Sequence, residues 1–311
     1  MGYVMIETPT VLVLGAGASN PYGFPSEGEL YREVLDMKPK AFPMDVAQFG
    51  RTKMFRTRKV LEFKAELRDS GVKSVDVFLE SREEFEKVGK AAMACILSRY
   101  ETAALARPDG PDKRDWYCYL WERMCAGASF DDLGENRLSI LTFNYDRSLE
   151  DFLFRAARAY YGQSPDECAR TLRAINIIHL HGSLGPMPWQ DRGAWSVPFG
   201  RGGSFKDVRV AISSMKVVRD SQVEDPDFMR AGELLRAAER VYLLGFGYRP
   251  ANVSRLGLDV GRWTGCELAG TCCGLGARQI ADIQARCPVD ISVDRKDQDC
   301  MAFFREYRSL A

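Results

Sequence analysis

Residues 10–30, TVLVLGAGASNPYGFPSEGEL, constrain the fold of this chain more than any other stretch. Positions 10–14 are β-branched and aliphatic, the pattern of a buried strand. The run breaks at Gly15-Ala16-Gly17-Ala18-Ser19 and leads into a segment that can turn helical. A buried strand that stops at a glycine turn and opens a helix is how parallel α/β folds hold a nucleotide phosphate. Glycines permit the tight turn and the close backbone approach, and the helix N-terminus offers N–H groups and positive partial charge. Asn20 stands where a G-x-G-x-x-G fingerprint has its third glycine. The same residues therefore also suit a strand–helix turn with no ligand.

The rest of the chain alternates between two kinds of sequence. Residues 27–35 read as a short helix and 36–50 as loop. From 51 to 129 the pattern is helical, with apolar residues at helical spacing and charges between them. Phe78, Leu79, Phe85, Val88, Ala92 and Ile96 line one side of it. ARPDGPDK at 106–113 reads as a turn, and 116–124 as one more helix. Strands are expected at 138–142, 175–180, 208–212, 240–244 and 266–271. Helices are expected at 147–160, 227–238 and 277–286, and an amphipathic one in the tail. Strands alternating with helices imply a parallel sheet covered on both faces. The fold class expected is α/β, a Rossmann-like parallel sheet formed by 1–50 and 130–311, with a mostly helical insertion at 51–129. Residues 185–207, rich in Gly, Pro and Trp, read as a long active-site or interface loop.

Charge narrows the function classes. Forty-three basic and 43 acidic side chains cancel, so no global field draws nucleic acid or an anionic membrane. No apolar run approaches the ~20 residues of a membrane span, and the first ten residues lack the regions of a secretory signal. Nine cysteines, an odd number without an export signal, read as free thiols in a reducing cytoplasm.

Three expected strands end in polar, glycine-flanked sequence, and ligands of open α/β sheets bind beyond such ends. The first is the glycine turn. The second, Thr142-Phe143-Asn144-Tyr145-Asp146, places an amide and a carboxylate where a strand breaks into a helix; helix capping is the alternative use of either. The third is His179-Leu180-His181-Gly182-Ser183. It holds both histidines of the chain, so any imidazole acid–base chemistry must come from here. A fourth ending, Gly245-Phe246-Gly247 with Asn252, offers close backbone approach and another amide.

Taken together, GAGAS followed by Gly-Phe-Pro, then T-x-N-x-D, then His-Gly, then an apolar strand closing on a glycine turn, resemble the ordered motifs of sirtuins. The resemblance covers roughly 10–35 and 138–310. Pro25 is followed by Ser26-Glu27-Gly28 rather than the usual Asp-Phe-Arg, Phe143 replaces the usual Gln, and no Cys-x-x-Cys pair exists for a zinc module. Four-coordinate structural zinc is not expected. These departures look more like the sirtuin-like domains of bacterial anti-phage defence, which lack the zinc ribbon and hydrolyse NAD. KSVDVFLES at 73–81 resembles a helical segment of that branch.

The resemblance implies an NAD glycohydrolase that releases nicotinamide and ADP-ribose, with NAD as substrate and no metal. Asn144 would hold the attacking water or a ribose hydroxyl, Asp146 would meet the nicotinamide ribose or carboxamide, and His181 would accept a proton, with His179 in support. Ala16, Gly17, Ala18 and Ser19 would cradle phosphate. Gly15, Pro25, Thr142, Gly245, Gly247 and Asn252 complete the expected NAD-binding set. The alternatives are an NAD-dependent deacylase or ADP-ribosyltransferase, and a non-catalytic NAD or ADP-ribose sensing module. A dehydrogenase fits less well, because no acidic residue ends a second strand; a serine hydrolase lacks its G-x-S-x-G elbow. An enzyme that destroys NAD must be held inactive. A homo-oligomer formed through the aromatic-rich insertion (Trp116, Tyr117, Tyr119, Trp121), gated by an activator protein, is therefore expected.

Overall fold

The computed structural model describes residues 5–45, 52–105, 115–193, 195–219, 225–260 and 263–310. Strand β1 (Thr10–Leu14) is buried along its whole length. Leu12 and Leu14 enter one core and Val11 and Val13 another, which is why the run is apolar throughout instead of alternating. A short antiparallel pair, β2 (Met44–Asp45) with β3 (Thr52–Lys53), stands apart from the main sheet. The strands β4 (Leu138–Thr142), β5 (Asn176–His179), β6 (Arg240–Leu244) and β7 (Glu267–Gly270) join β1 in one parallel sheet of order β5-β4-β1-β6-β7. The chain builds outward from β1 to β5, then returns to the other side of β1 for β6 and β7. That reversal is a topological switch point, and the crevice beyond the carboxyl ends of β1 and β6 is where such sheets bind ligands. The α/β, Rossmann-like architecture is the one expected.

Helix α1 (Ala16–Ser19) is a single turn leaving β1. Helix α2 (Glu27–Asp36) begins at a reciprocal capping box between Ser26 and Glu29. The helices α3 (Thr57–Asp69), α4 (Val75–Ser81), α5 (Glu86–Leu105) and α6 (Trp116–Cys125) fill the stretch read as helical. They do not form one unit. Trp116, Tyr117, Leu120 and Met124 of α6 pack on the sheet with Leu12, Ile140 and Tyr242. Trp116 and Tyr117 are thus spent inside the chain, and Tyr119 and Trp121 pack at the edge of the same cluster. These aromatics, the motive for expecting assembly through the insertion, do not form an open face.

On that side of the sheet α6 is joined by α7 (Ser148–Tyr161) and α8 (Pro165–Leu172). Helix α9 (Phe205–Ser214) packs with α2 to α5 in a separate cluster built on Phe63, Phe78, Phe85 and Met93. The opposite sheet face is covered by α10 (Pro226–Ala237), α11 (Pro250–Arg255) and α12 (Ala277–Gln284). Near the end of the chain α13 (Cys300–Ala302) runs on as a π-helical turn through Tyr307. Among the described residues no helix is long and apolar enough to cross a membrane.

Two expectations are corrected. The strand expected at 208–212 lies inside α9, whose start is set by a capping box of Ser204 and Asp207. The active-site half of the expectation for 185–207 is corrected: none of its described residues lines the pocket described below, and several are anchored to the core. Met187 and Phe199 bury against Phe24, and the Gly185 and Val197 carbonyls accept hydrogen bonds from Arg147 at 3.0 and 2.6 Å. Arg147 is fully buried and forms a two-point ion pair with Glu101 of α5, at 3.0 and 2.6 Å. The turn expected at 106–113 and residues 46–50 of the expected loop lie outside the described residues.

Candidate active site

The glycine turn is packed, not open. Gly15 N–H donates to the Leu244 carbonyl at 3.0 Å and Gly17 N–H to the Gly245 carbonyl at 3.1 Å, while Ala18 N–H closes on Gly15 O at 2.9 Å. A Cβ on Gly15 would stand 2.5 Å from Gly245 O, and one on Gly17 2.8 Å from Gly245 Cα. Gly245 itself has φ +56°, and a Cβ there would overlap Ala18 N. The glycines let the ends of β1 and β6 touch backbone to backbone. Of the four residues expected to cradle phosphate, Ala16 and Ser19 line the pocket described next, whereas the N–H groups of Gly17 and Ala18 are taken within the turn and neither residue lines it.

That pocket encloses about 210 Å³ beyond the carboxyl ends of β1, β4 and β6. Of the residues singled out in the sequence it gathers Gly15, Ala16, Ser19, Pro25, Asn144, Asp146, His181, Gly245, Gly247 and Asn252. Asn144 is set by the break of β4. Its N–H donates to Thr142 Oγ1, and its side-chain amide donates to Gly15 O and Ser19 Oγ, each at 3.0 Å. Thr142 is buried beneath it and serves that turn without lining the pocket. Asp146 accepts from Ser148 N–H at 3.1 Å and from the Ser148 hydroxyl at 2.5 Å, so it also steadies the start of α7. Burial, against the pull of these donors, raises its carboxyl above the usual range.

The two histidines have opposite environments. His179 is outside the pocket: its Nδ1 meets the Asn144 carbonyl at 2.8 Å and its Nε2 meets Glu150 Oε1 at 2.6 Å. A carbonyl on one nitrogen and a carboxylate on the other both ask for N–H, which is the imidazolium. Burial lowers the His179 pKa, but Glu150 and the Asn144 carbonyl outweigh it and the net shift is upward. The expected cofactor contact is replaced by a hold on the Asn144 backbone. His181 lines the pocket with its Nε2 buried and unpartnered, against the edge of Phe143 at 5.1 Å. Burial first, then Arg255 and Arg249, hold its pKa down at about 3.

With only these two histidines, a proton NMR titration separates them. The His181 ring resonances are expected to stay flat from pH 5 to 8, and those of His179 to titrate above the ordinary ~6.5. Their linkage to stability has opposite signs. The His181 contribution is present above ~6.5 and falls away as pH drops toward 3. The His179 contribution is present below ~6.5 and is lost as pH rises through its folded value. Two titrations near 6.5 would contradict this assignment.

Other lining residues are not legible as site residues in the sequence. Asp76 of α4 and Leu97 of α5 come from the insertion, and Tyr145 joins them by donating its hydroxyl to Asp76 Oδ1 at 2.5 Å. Burial raises the Asp76 carboxyl despite Tyr145 and Arg249. Glu27, Arg249 and Phe246 also line the pocket, with Phe24, Leu30 and Phe143. The only sequence signal for Asp76 is the resemblance at 73–81. Among the described residues no three His, Cys, Asp or Glu side chains are grouped to hold a metal ion. Compared with known proteins, the chain matches no family model and no curated protein.

Proposed function

We propose that this pocket binds NAD and hydrolyses it to nicotinamide and ADP-ribose. The observation that carries the reading is the convergence of Asn144, Asp146 and His181 with the packed β1–β6 glycine turn on one pocket at the switch point. Cleaving the nicotinamide–ribose bond develops positive charge on the sugar, so the site must hold a water, screen the charge and accept a proton. Asn144, pinned at Gly15 and Ser19, orients the water or a ribose hydroxyl. Asp146 and Asp76 line the pocket; burial raises both carboxyls, and positive charge developing on the sugar favours their ionised form. His181 is neutral and has a free ring nitrogen to receive the proton. Its low basicity is partly the work of two arginines, and a bound diphosphate neutralises that field and raises it. The enclosed 210 Å³ suits one nucleoside end; the rest of the dinucleotide lies across the mouth.

A role in bacterial anti-phage defence, a cytoplasmic location, a homo-oligomer and an activator protein belong to the same proposal, through the sirtuin-like motifs. Nicotinamide release measured with and without an acyl-lysine peptide tests the chemistry. Equal rates support hydrolysis; O-acyl-ADP-ribose formed in step with NAD loss means a deacylase. One observation favours a second reading, a non-catalytic sensor of NAD or ADP-ribose: an imidazole held at about 3 is a poor base in the empty pocket. On that reading His181→Ala leaves the cellular phenotype intact.

A further inference from the structure

Among the described residues that line the pocket, Arg249 is the one arginine or lysine; it is paired with Glu27 and close enough to Asp76 to stabilise its charged form, and Asp146 lines the same pocket. It follows Tyr248, the one non-glycine residue with positive φ, 50°, among those described. A tyrosine rarely adopts that backbone, and such positions cluster where a chain aims groups at a ligand. Here the Tyr248 ring is buried and its hydroxyl donates to Thr271 O at 3.0 Å, which holds the turn and points the chain into Arg249. Arg249 Nη1 donates to Glu27 Oε1 at 2.8 Å and to Ser74 Oγ at 3.4 Å. The side chains of the ion pair are 27% and 43% exposed, and it has a single contact point. Such a pair is weak. A phosphate, by contrast, takes both arms of a guanidinium.

We infer that Arg249 is the diphosphate-binding residue of this pocket and that Glu27 is its counter-ion only while the pocket is empty. A ligand diphosphate displaces Glu27 from Arg249 and uncouples the start of α2 from the β6–α11 loop. The inference rests on the proposed NAD reading for the rest of the ligand, not for the anion. Removing Glu27 then removes a competitor, and removing Arg249 removes the site.

The test is calorimetry on the full chain with inorganic pyrophosphate and ADP-ribose as probes, and adenosine as the phosphate-free control. Glu27→Gln is expected to tighten both phosphorylated probes about 3- to 10-fold. Arg249→Gln is expected to weaken them at least ~10-fold, and Glu27→Gln added to it to have no further effect. Adenosine is unmoved by either. Weakening by Glu27→Gln would make the pair a structural latch and overturn the inference. So would affinities indifferent to Arg249, or no binding of either probe to the wild type. Arg249-dependent pyrophosphate binding, with no nicotinamide release under any activating condition, would leave this inference standing and remove the hydrolase reading.

Discussion

Replacing His181 by alanine is expected to lower nicotinamide release by ~10²–10⁴-fold, the range for loss of a positioned proton acceptor. Affinity for ADP-ribose should change little, because Nε2 makes no hydrogen bond to the protein that its loss would disturb. Stability should also be spared more than burial alone suggests, since the substitution removes a buried polar atom without a partner. Asn144→Ala should give a comparable loss of rate by a different route. Its amide also ties Gly15 O to Ser19 Oγ, so its melting temperature should drop as well. Steady-state kinetics and thermal unfolding on both variants separate the two. A His181→Ala enzyme of unchanged rate would remove His181 from the role of proton acceptor.

The second large effect is on folding. Arg147→Ala is expected to cost ~3–5 kcal/mol, because it leaves the Glu101 carboxyl without its counter-ion in a place where its side chain is 0% exposed. It also strips donors from the Gly185 and Val197 carbonyls, so the 185–207 loop loosens along with the α5 contact. Glu101→Ala should cost a similar amount. Replacing both with apolar residues should cost less than the sum of the single changes, but should not restore the wild type while those carbonyls remain unserved. Urea unfolding monitored by tryptophan fluorescence measures all three. Single variants within ~1 kcal/mol of wild type would mean that the pair is not buried as described.

How much of this was legible follows from local chemistry. β1, β4 and β6 are short, mostly apolar runs that end at glycine or at a polar turn, as strands buried on both faces do. The endings of β1, β4 and β6 point to the glycine turn, Asn144 and Asp146, and the ending of β5 points to His181. Helix α9 reads as a strand because Val208, Val210 and Ile212 alternate; its S-x-x-D start at Ser204 and Asp207 is the better signal. Helix α8 hides in the same way behind Ser164, Pro165 and Glu167. The glycines of the turn can be found from sequence, but their use cannot. Only the arrival of Gly245 beside Gly15 shows that they admit a neighbouring strand. Asp76 and Leu97 reach the pocket from the helical insertion, distant in sequence from the strand endings, whereas Glu27 and Arg249 sit beside legible motifs and only their pairing across the chain is hidden. The Glu27–Arg249 pair joins positions 222 residues apart. His179 and His181 look equivalent on a strand. They are not, because β5 stops at His179 and the chain then turns at Gly182.

The central claim is that this pocket cleaves NAD, and the most direct measurement is a product analysis by liquid chromatography of NAD incubated with the wild-type protein, alone and with phage extract or a candidate activator. Nicotinamide and ADP-ribose are expected in equal amounts, with no peptide required. NAD that binds but stays intact under every activating condition would contradict it.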